Sequence, residues 1–107
     1  MGPIAEIHEI EAAIARSRLH LLYVSEATCS VAGAVWPKIE ALLEGFPQVA
    51  TTFVTIDQVP GLAGRFSIFS APVVLLHVEG QEVFRQGRFI RLGELEAALR
   101  RFTALLD

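Results

Sequence analysis

The sequence predicts an α/β domain in three layers, with helices on both faces of a central mixed sheet. Near-continuous apolar runs of strand length alternate with amphipathic helical segments, and such runs are typical of strands covered on both faces. A hairpin pattern precedes the last helix, so the final two strands are expected to be antiparallel. The chain has 107 residues, of which 52% are hydrophobic. We therefore expect one domain over 1–107, with a core that needs no metal or disulfide.

Hydrophobic periodicity and turn residues give the order of the elements. The predicted elements are a helix over 4–17, a strand over 19–24, a helix from Val31 or Ala32 to Leu43, a strand over 49–56, a short helix over 57–66, a strand over 72–78, a strand over 83–86 and a helix over 92–106. Residues 4–7 fit a short edge strand equally well. Both alternatives for this first segment stay open at the level of sequence.

Three local signals add detail to these elements. Pro37 removes one hydrogen bond inside the second helix and predicts a kink. Asp57 is expected to cap the short third helix, where Pro60 is tolerated in the first turn. Residues 79–82, which include Gly80, are expected to form the hairpin turn, and residues 87–91 a loop.

Composition argues against several classes of function. The net charge of −3 disfavours nucleic acid as the main partner. A single cysteine allows no internal disulfide and no cysteine-based metal site. No basic-then-apolar leader and no apolar run of membrane length is visible, which predicts a soluble cytoplasmic protein without membrane contacts. Arginines concentrate from Arg85 onward, where they form either a solvated face or an anion-facing patch.

Cys29 lies in the segment 27–32, between a predicted buried strand and a predicted helix. Unpaired N–H groups and the positive end of the helix dipole meet at such a position. They lower the pKa of a thiol, and the thiolate is the nucleophilic form. The alternative is a buried structural cysteine without reactivity, which is the common state of a free cysteine.

The order and spacing of these features resemble the thioredoxin family. The apolar strand, the Cys-x-x motif at a helix start, Pro37 and the segment 56–63 follow that family's pattern. The Ser-Ala-Pro segment 70–72 resembles the family's cis-proline loop, while Gly80 fits the hairpin and Gly87 the loop glycine beside the active site. The resemblance covers nearly the whole chain and implies the thioredoxin fold, a three-layer α/β/α arrangement around a mixed sheet.

This resemblance implies thiol–disulfide exchange with Cys29 as the nucleophile and no cofactor or metal. It also implies a cis Pro72 packed against Cys29, and a substrate chain that pairs with the backbone of Ala71. The residues expected to border the substrate are Thr28, Ser30, Val31, Ala71, Pro72, Gly87 and Arg88. The expected partners are disulfide-bearing or thiol proteins, or a low-molecular-weight thiol, and the oligomeric state is not predicted.

The chain departs from the family pattern at positions that complete the redox cycle. The second cysteine falls at Ala32, so a mixed disulfide on Cys29 has no internal thiol to resolve it. The family's buried acid and nearby lysine fall at Tyr23 and Phe53, and the usual tryptophan falls at Thr28. Two explanations fit Ala32: an engineered replacement that traps a partner, or a naturally monothiol protein. A different interpretation is a non-catalytic thioredoxin-fold module that binds extended peptides.

The other chemically notable residues favour structural roles. Trp36 is expected to pack or to lie on the helix surface, and Glu26 to be a solvated loop residue. His8, His20 and His77 are spread along the chain without the spacing of metal ligands. His77 is expected to be a hydrogen-bonded histidine within a strand.

Overall fold

The computed structural model describes residues 6–26 and 32–106, with the backbone alone for 32–34. The helices are α1 (Ile7–Arg16), α2 (Ala32–Leu43), α3 (Leu62–Phe66) and α4 (Leu92–Leu106). The strands are β1 (Leu19–Ser25), β2 (Ala50–Thr55), β3 (Val73–Val78) and β4 (Gln81–Gly87). This element order confirms the predicted order. No described helix combines the length and the apolar character that crossing a membrane requires.

A four-stranded mixed sheet forms the middle layer, in the order β2-β1-β3-β4. Strand β1 is parallel to β2 and antiparallel to β3, and β4 is antiparallel to β3. All residues of β1 are buried, as the apolar run at its position predicts. The central position of β1 explains this burial, because the strand has neighbours on both sides and helices on both faces.

Two apolar cores lie on opposite faces of this sheet. Leu22, Val24 and Leu75 belong to the core beneath α1 and α3. Leu21 and Leu76 belong to the core beneath α2 and α4. Neighbouring residues of a strand point to opposite faces, so the two central strands β1 and β3 contribute to both cores. The three-layer prediction is confirmed.

The first helix replaces the alternative edge strand. Ile7 is the first residue of α1, so the strand interpretation of 4–7 is wrong at that residue, while residues 4 and 5 lie outside the described part. Ile10 and Ile14 form the buried face of α1. The helix ends at Arg16, and the N–H of Ser17 donates to the carbonyl oxygen of Ile14 at 3.3 Å.

The predicted cap at Asp57 is wrong, because α3 begins only at Leu62. Gly61 precedes the helix with a φ of 85°, a left-handed conformation that interrupts any helix begun earlier. Pro60 also disfavours helical backbone at Val59. The turn before α3 is held by a different side chain, since the Oε1 atom of Gln58 accepts a hydrogen bond from the Thr55 N–H at 2.7 Å.

The hairpin turn between β3 and β4 is shorter than predicted. Glu79 and Gly80 alone form it, with φ values of 48° and 85°, and β4 begins at Gln81 instead of residue 83. Positive φ at both positions matches the right-handed twist of the flanking strands. The tight turn therefore brings two further residues into the ladder, with a register shift between Leu76 and His77.

Candidate functional site

The end of β1 and the start of β3 lie side by side at one edge of the sheet. The two strands are antiparallel, and Val24 of β1 pairs with Val73 of β3. The chain therefore leaves β1 at Ser25 next to the point where Pro72 leads into β3. The first residue after β2 joins this end, since the Ile56 N–H donates to the Ser25 carbonyl oxygen at 2.8 Å.

The predicted nucleophile and its neighbours fall in the gap between two described elements. Thr28, Cys29, Ser30 and Val31 lie outside the described residues. Strand β1 ends before this segment, and α2 begins directly after it at Ala32. The predicted change from strand to helix around the cysteine is therefore confirmed by the bounds of its neighbours.

The predicted groove residues outside this gap lie together where β3 begins and β4 ends. The Ala71–Pro72 peptide is cis, and Pro72 is buried while Ala71 is half-buried. The carbonyl oxygen of Pro72 accepts a hydrogen bond from the Arg88 N–H at 2.7 Å. Val73 pairs with Gly87. Backbone contacts thus hold four predicted residues, Ala71, Pro72, Gly87 and Arg88, in one place.

The predicted loop glycine is part of a strand, and its neighbour makes the turn. Gly87 is the last residue of β4, and a Cβ atom there would meet Val73 Cγ2 at an ordinary 3.5 Å. Arg88 instead has the left-handed backbone, with a φ of 71°. Its guanidinium lies 5.6 Å from the centre of the Phe89 ring, and Phe89 is 73% exposed.

An open pocket of about 260 Å³ adjoins Ala71. Its lining is mainly apolar and consists of Glu26, Ile56, Ala63, Ile68, Phe69, Ser70 and Ala71. Phe69 is 95% exposed, and the sequence reasoning did not single it out. The sequence does contain a signal for Phe69: it is an aromatic residue in a predicted loop, where no periodic pattern assigns it to the core. Glu26 is exposed, as predicted, and brings a carboxylate to this pocket.

Aromatic rings occupy the two positions where the family pattern has an acid and a lysine. Tyr23 is fully buried, and its ring centre lies 5.0 Å from that of Trp36 and 5.5 Å from that of Phe53. The Tyr23 hydroxyl has no hydrogen-bond partner in the described part of the chain. Burial raises the pKa of this phenol, so the group stays neutral and cannot accept a proton near neutral pH. The packing role predicted for Trp36 is confirmed.

Two histidines face each other at the opposite end of β1. His20 and His77 are paired across the strands and are 1% and 5% exposed. The Nε2 atom of His20 lies 2.8 Å from the hydroxyl oxygen of Thr52. Both Nδ1 atoms are buried without a partner among the described residues. The expectation of a hydrogen-bonded His77 is therefore wrong at Nδ1, where the cross-strand neighbour is another histidine.

Over residues 6–26 and 32–106, no group of three or more His, Cys, Asp or Glu side chains has the geometry to hold a metal ion. Three of the late arginines have carboxylate partners. Arg85, Arg91 and Arg100 pair with Glu82, Glu94 and Glu96 respectively.

Comparison with known proteins places these features in a wider context. No protein-family model matches the chain. The thioredoxin-like protein YdfQ of Bacillus subtilis (strain 168) is 36% identical over 107 residues, which span 100% of this chain and 96% of the relative. The X-ray structure of Fasciola hepatica thioredoxin matches with a TM-score of 0.81 at 25% identity, covering 95% of this chain and 99% of that one.

A more distant structure shows the same fold. A Plasmodium falciparum thioredoxin matches with a TM-score of 0.81 at 15% identity, covering 94% of this chain and 98% of that one. Each likeness extends over nearly the whole chain.

Proposed function

This chain belongs to the thioredoxin-like family, and we propose that it performs thiol–disulfide exchange with Cys29 as the nucleophile. The observation that carries the proposal is the position of the only cysteine, between the end of β1 and the start of α2. Free N–H groups at a helix start stabilise an anion. A thiolate at Cys29 is favoured by the same groups, and this is the reactive form of the side chain.

The proposed reaction exchanges one disulfide for another. The Cys29 thiolate attacks one sulfur of a partner disulfide, forms a sulfur–sulfur bond to it and breaks the partner's bond, and the second partner sulfur leaves as a thiolate. An external thiolate then attacks the mixed disulfide. Its attack returns Cys29 to the thiolate form and leaves a disulfide between the external thiol and the first partner sulfur.

Ala32 decides which thiol completes the cycle. A methyl group stands where a second cysteine would resolve the mixed disulfide, so release depends on a thiol from solution. A low-molecular-weight thiol is the proposed donor. An engineered trap and a naturally monothiol protein both follow this chemistry, and they differ only in whether slow release serves a biological purpose.

The groove around Ala71 is proposed to position the partner. An extended substrate chain would pair with the backbone of Ala71, next to Pro72. Thr28, Ser30, Val31, Gly87 and Arg88 would border it. The proposed partners are disulfide-bearing or thiol proteins and a small thiol, with no cofactor. We place this activity in one domain, 1–107, in the cytoplasm, where reducing conditions keep a thiol free.

A second candidate is a thioredoxin-fold module that binds peptides without chemistry at Cys29. The aromatic cluster favours it, because Tyr23 is a neutral, fully buried phenol where the family pattern has a proton-accepting acid. Thiol exchange in this chain then has no counterpart of that acid at position 23. Exchange requires a lowered pKa at Cys29, whereas peptide binding without chemistry at Cys29 does not require one.

Alkylation of the single cysteine against pH separates the two candidates. Iodoacetamide reacts with the thiolate, and mass spectrometry reports the adduct without ambiguity. Exchange chemistry predicts an alkylation midpoint clearly below the free-cysteine value of about 8.5. The control is the same chain unfolded in urea. Coincident midpoints for folded and unfolded chains would refute the exchange proposal and favour the binding module.

A further inference from the structure

An open groove of about 530 Å³ lies between α2 and the edge strand β2, apart from the pocket at Ala71. Trp36, Pro37 and Ala41 give it an apolar floor, Glu40 and Glu44 bring carboxylates, and Thr51 contributes from β2. The groove begins about one helical turn after Ala32, the first residue of α2. It uses none of the residues proposed to act in thiol exchange.

An aromatic cluster adjoins this groove, and Trp36 is its member that lines the groove. The ring centres of Trp36 and Phe53 are 5.0 Å apart, the Phe53 ring stacks on the buried Tyr23, and the Trp36 ring is tilted against Tyr23. Phe53 is 41% exposed and Trp36 is half-buried. The faces of such rings carry negative electrostatic potential, so they attract cations, and guanidinium groups in particular.

Glu40 and Glu44 are exposed and lie on one face of α2, where like charges repel each other. Five other carboxylates have an arginine within ion-pair distance, namely Glu11, Glu79, Glu82, Glu94 and Glu96, whereas Glu9, Glu26 and Asp57 have none in the described part of the chain. Over the described ranges neither Glu40 nor Glu44 has one. The segments 1–5 and 27–31 contain no lysine or arginine.

The protein also stacks arginines on several of its own rings. Arg88 lies over Phe89, Arg100 over Phe46 and Arg101 over Phe102, at 5.4 to 5.8 Å from the ring centres. Within the described part of the chain, no arginine or lysine lies over Trp36 or Phe53. The groove thus combines ring faces with two carboxylates that have no cation partner among the described residues.

We propose that this groove binds an arginine-bearing extended segment of a partner protein. A guanidinium is planar, stacks on aromatic rings and pairs with a carboxylate through two hydrogen bonds, whereas an ammonium is a point charge. Residues two apart in an extended chain point the same way and lie about 6–7 Å apart. This spacing is close to the separation of about 5–6 Å between Cβ atoms four residues apart on a helix. The recognised pattern is therefore Arg-x-Arg.

Trp36 lines this groove and is the only tryptophan of the chain, so its fluorescence reports directly on binding there. We would titrate the full chain with a pentapeptide that has capped ends, arginine at its second and fourth positions and glycine at the other three. A saturable change in Trp36 fluorescence is expected. The matched lysine peptide should bind more weakly and the matched glutamate peptide should cause no change. Absence of a saturable change, or equal binding of the lysine peptide, would overturn the proposal.

Matched variants separate the groove from the overall charge. Glu40→Gln with Glu44→Gln should weaken the arginine peptide by about tenfold. Glu6→Gln with Glu9→Gln changes the net charge equally on α1 and should leave the affinity within about twofold. Circular dichroism would verify folding of both variants. Equal losses in both would mean unspecific attraction, and wild-type self-association that Glu40→Gln with Glu44→Gln abolishes would assign the groove to a second copy. Either result would overturn the proposal.

Discussion

His20 and His77, which face each other across β1 and β3, are held neutral in the folded protein. Burial lowers the pKa of His20 to about 4, and the charges of His77 and Arg16 act in the same direction. Burial also lowers the pKa of His77, where Glu82 opposes the shift and Arg85 supports it. An unfolded histidine titrates near pH 6.5. The unfolded chain therefore binds protons first as the pH falls, which destabilises the fold.

The free energy of unfolding should consequently fall between about pH 6.5 and pH 4, and His20 alone should account for about 3 kcal/mol. This contribution is fully present above the unfolded pKa and is lost as the pH approaches the folded one. Urea unfolding midpoints at several pH values in this window would measure it. His20→Gln should flatten the dependence, while His8→Gln, an exposed control, should not. Parallel pH profiles for wild type and His20→Gln would contradict the assignment.

At Ala32 a single substitution should add an internal resolving step to the proposed exchange. Ala32→Cys places a thiol at the first residue of α2, in the family's resolving position. We expect a reversible disulfide with Cys29 and a clear gain in insulin reduction over the dithiothreitol background. Ala41→Cys, on the exposed face of the same helix, is the control and should give neither. Failure of Ala32→Cys to form a disulfide would count against the exchange proposal.

At the scale of elements, the short helix α3 depends on a side chain from β4. The Nε and Nη2 atoms of Arg85 donate to Glu82 at 2.7 and 2.8 Å. Its Nη1 and Nη2 atoms donate to the carbonyl oxygens of Ser67 and Phe66 at 3.0 and 2.6 Å. Helix α3 has only five residues, too few to be stable alone. Arg85 therefore ties the end of α3 to the sheet.

Replacement of this arginine by lysine should destabilise the protein by about 1–3 kcal/mol, because an ammonium cannot make the four contacts together. Arg100→Lys is the matched control. Arg100 pairs with Glu96 on the surface of α4 and lies over the Phe46 ring, so the expected loss is at most about 1 kcal/mol. Urea midpoints of the two variants would be compared. Equal losses would show that Arg85 is an ordinary surface ion pair.

Elements with strong hydrophobic periodicity were predictable from the sequence, and those governed by backbone conformation were not. The bounds of α4 agree with the prediction, because its apolar stripe runs unbroken from Leu92 to Leu106. The start of α3 and the length of the hairpin depend on left-handed conformations at Gly61 and Glu79. Glycine allows such a conformation without requiring it, and a glutamate gives no signal for it.

At the scale of the whole molecule, the site was predictable in its parts and less so in its surroundings. The Ser-Ala-Pro segment and the cysteine segment each have a local signature. The exposed Phe69 and the Nδ1 of His77, which has no partner among the described residues, depend on register and tertiary packing. Neighbouring residues in the sequence carry no trace of a cross-strand partner, so those features required the three-dimensional structure.

A protein that forms a mixed disulfide and cannot resolve it should accumulate as a covalent complex. A second thiol in the same site acts at very high effective concentration, and Ala32 removes that thiol. We therefore expect this chain, incubated with a disulfide-bearing protein, to give an adduct on non-reducing gels that dissolves in excess dithiothreitol. Cys29→Ser should abolish the adduct. Persistence of the adduct in Cys29→Ser, or its absence in wild type, would contradict the proposed chemistry.

Strand β1, buried along its whole length and paired on both sides, also sets how the molecule opens. Amide hydrogens exchange with solvent through local openings where few contacts protect them, and central strands open only with the whole fold. The β1 amides should therefore be among the last to exchange. The cysteine segment continues directly from this strand, so its anchor holds while edge strands and helix ends fray. A partner bound to Cys29 through a disulfide would thus be attached next to the strand that resists local opening most.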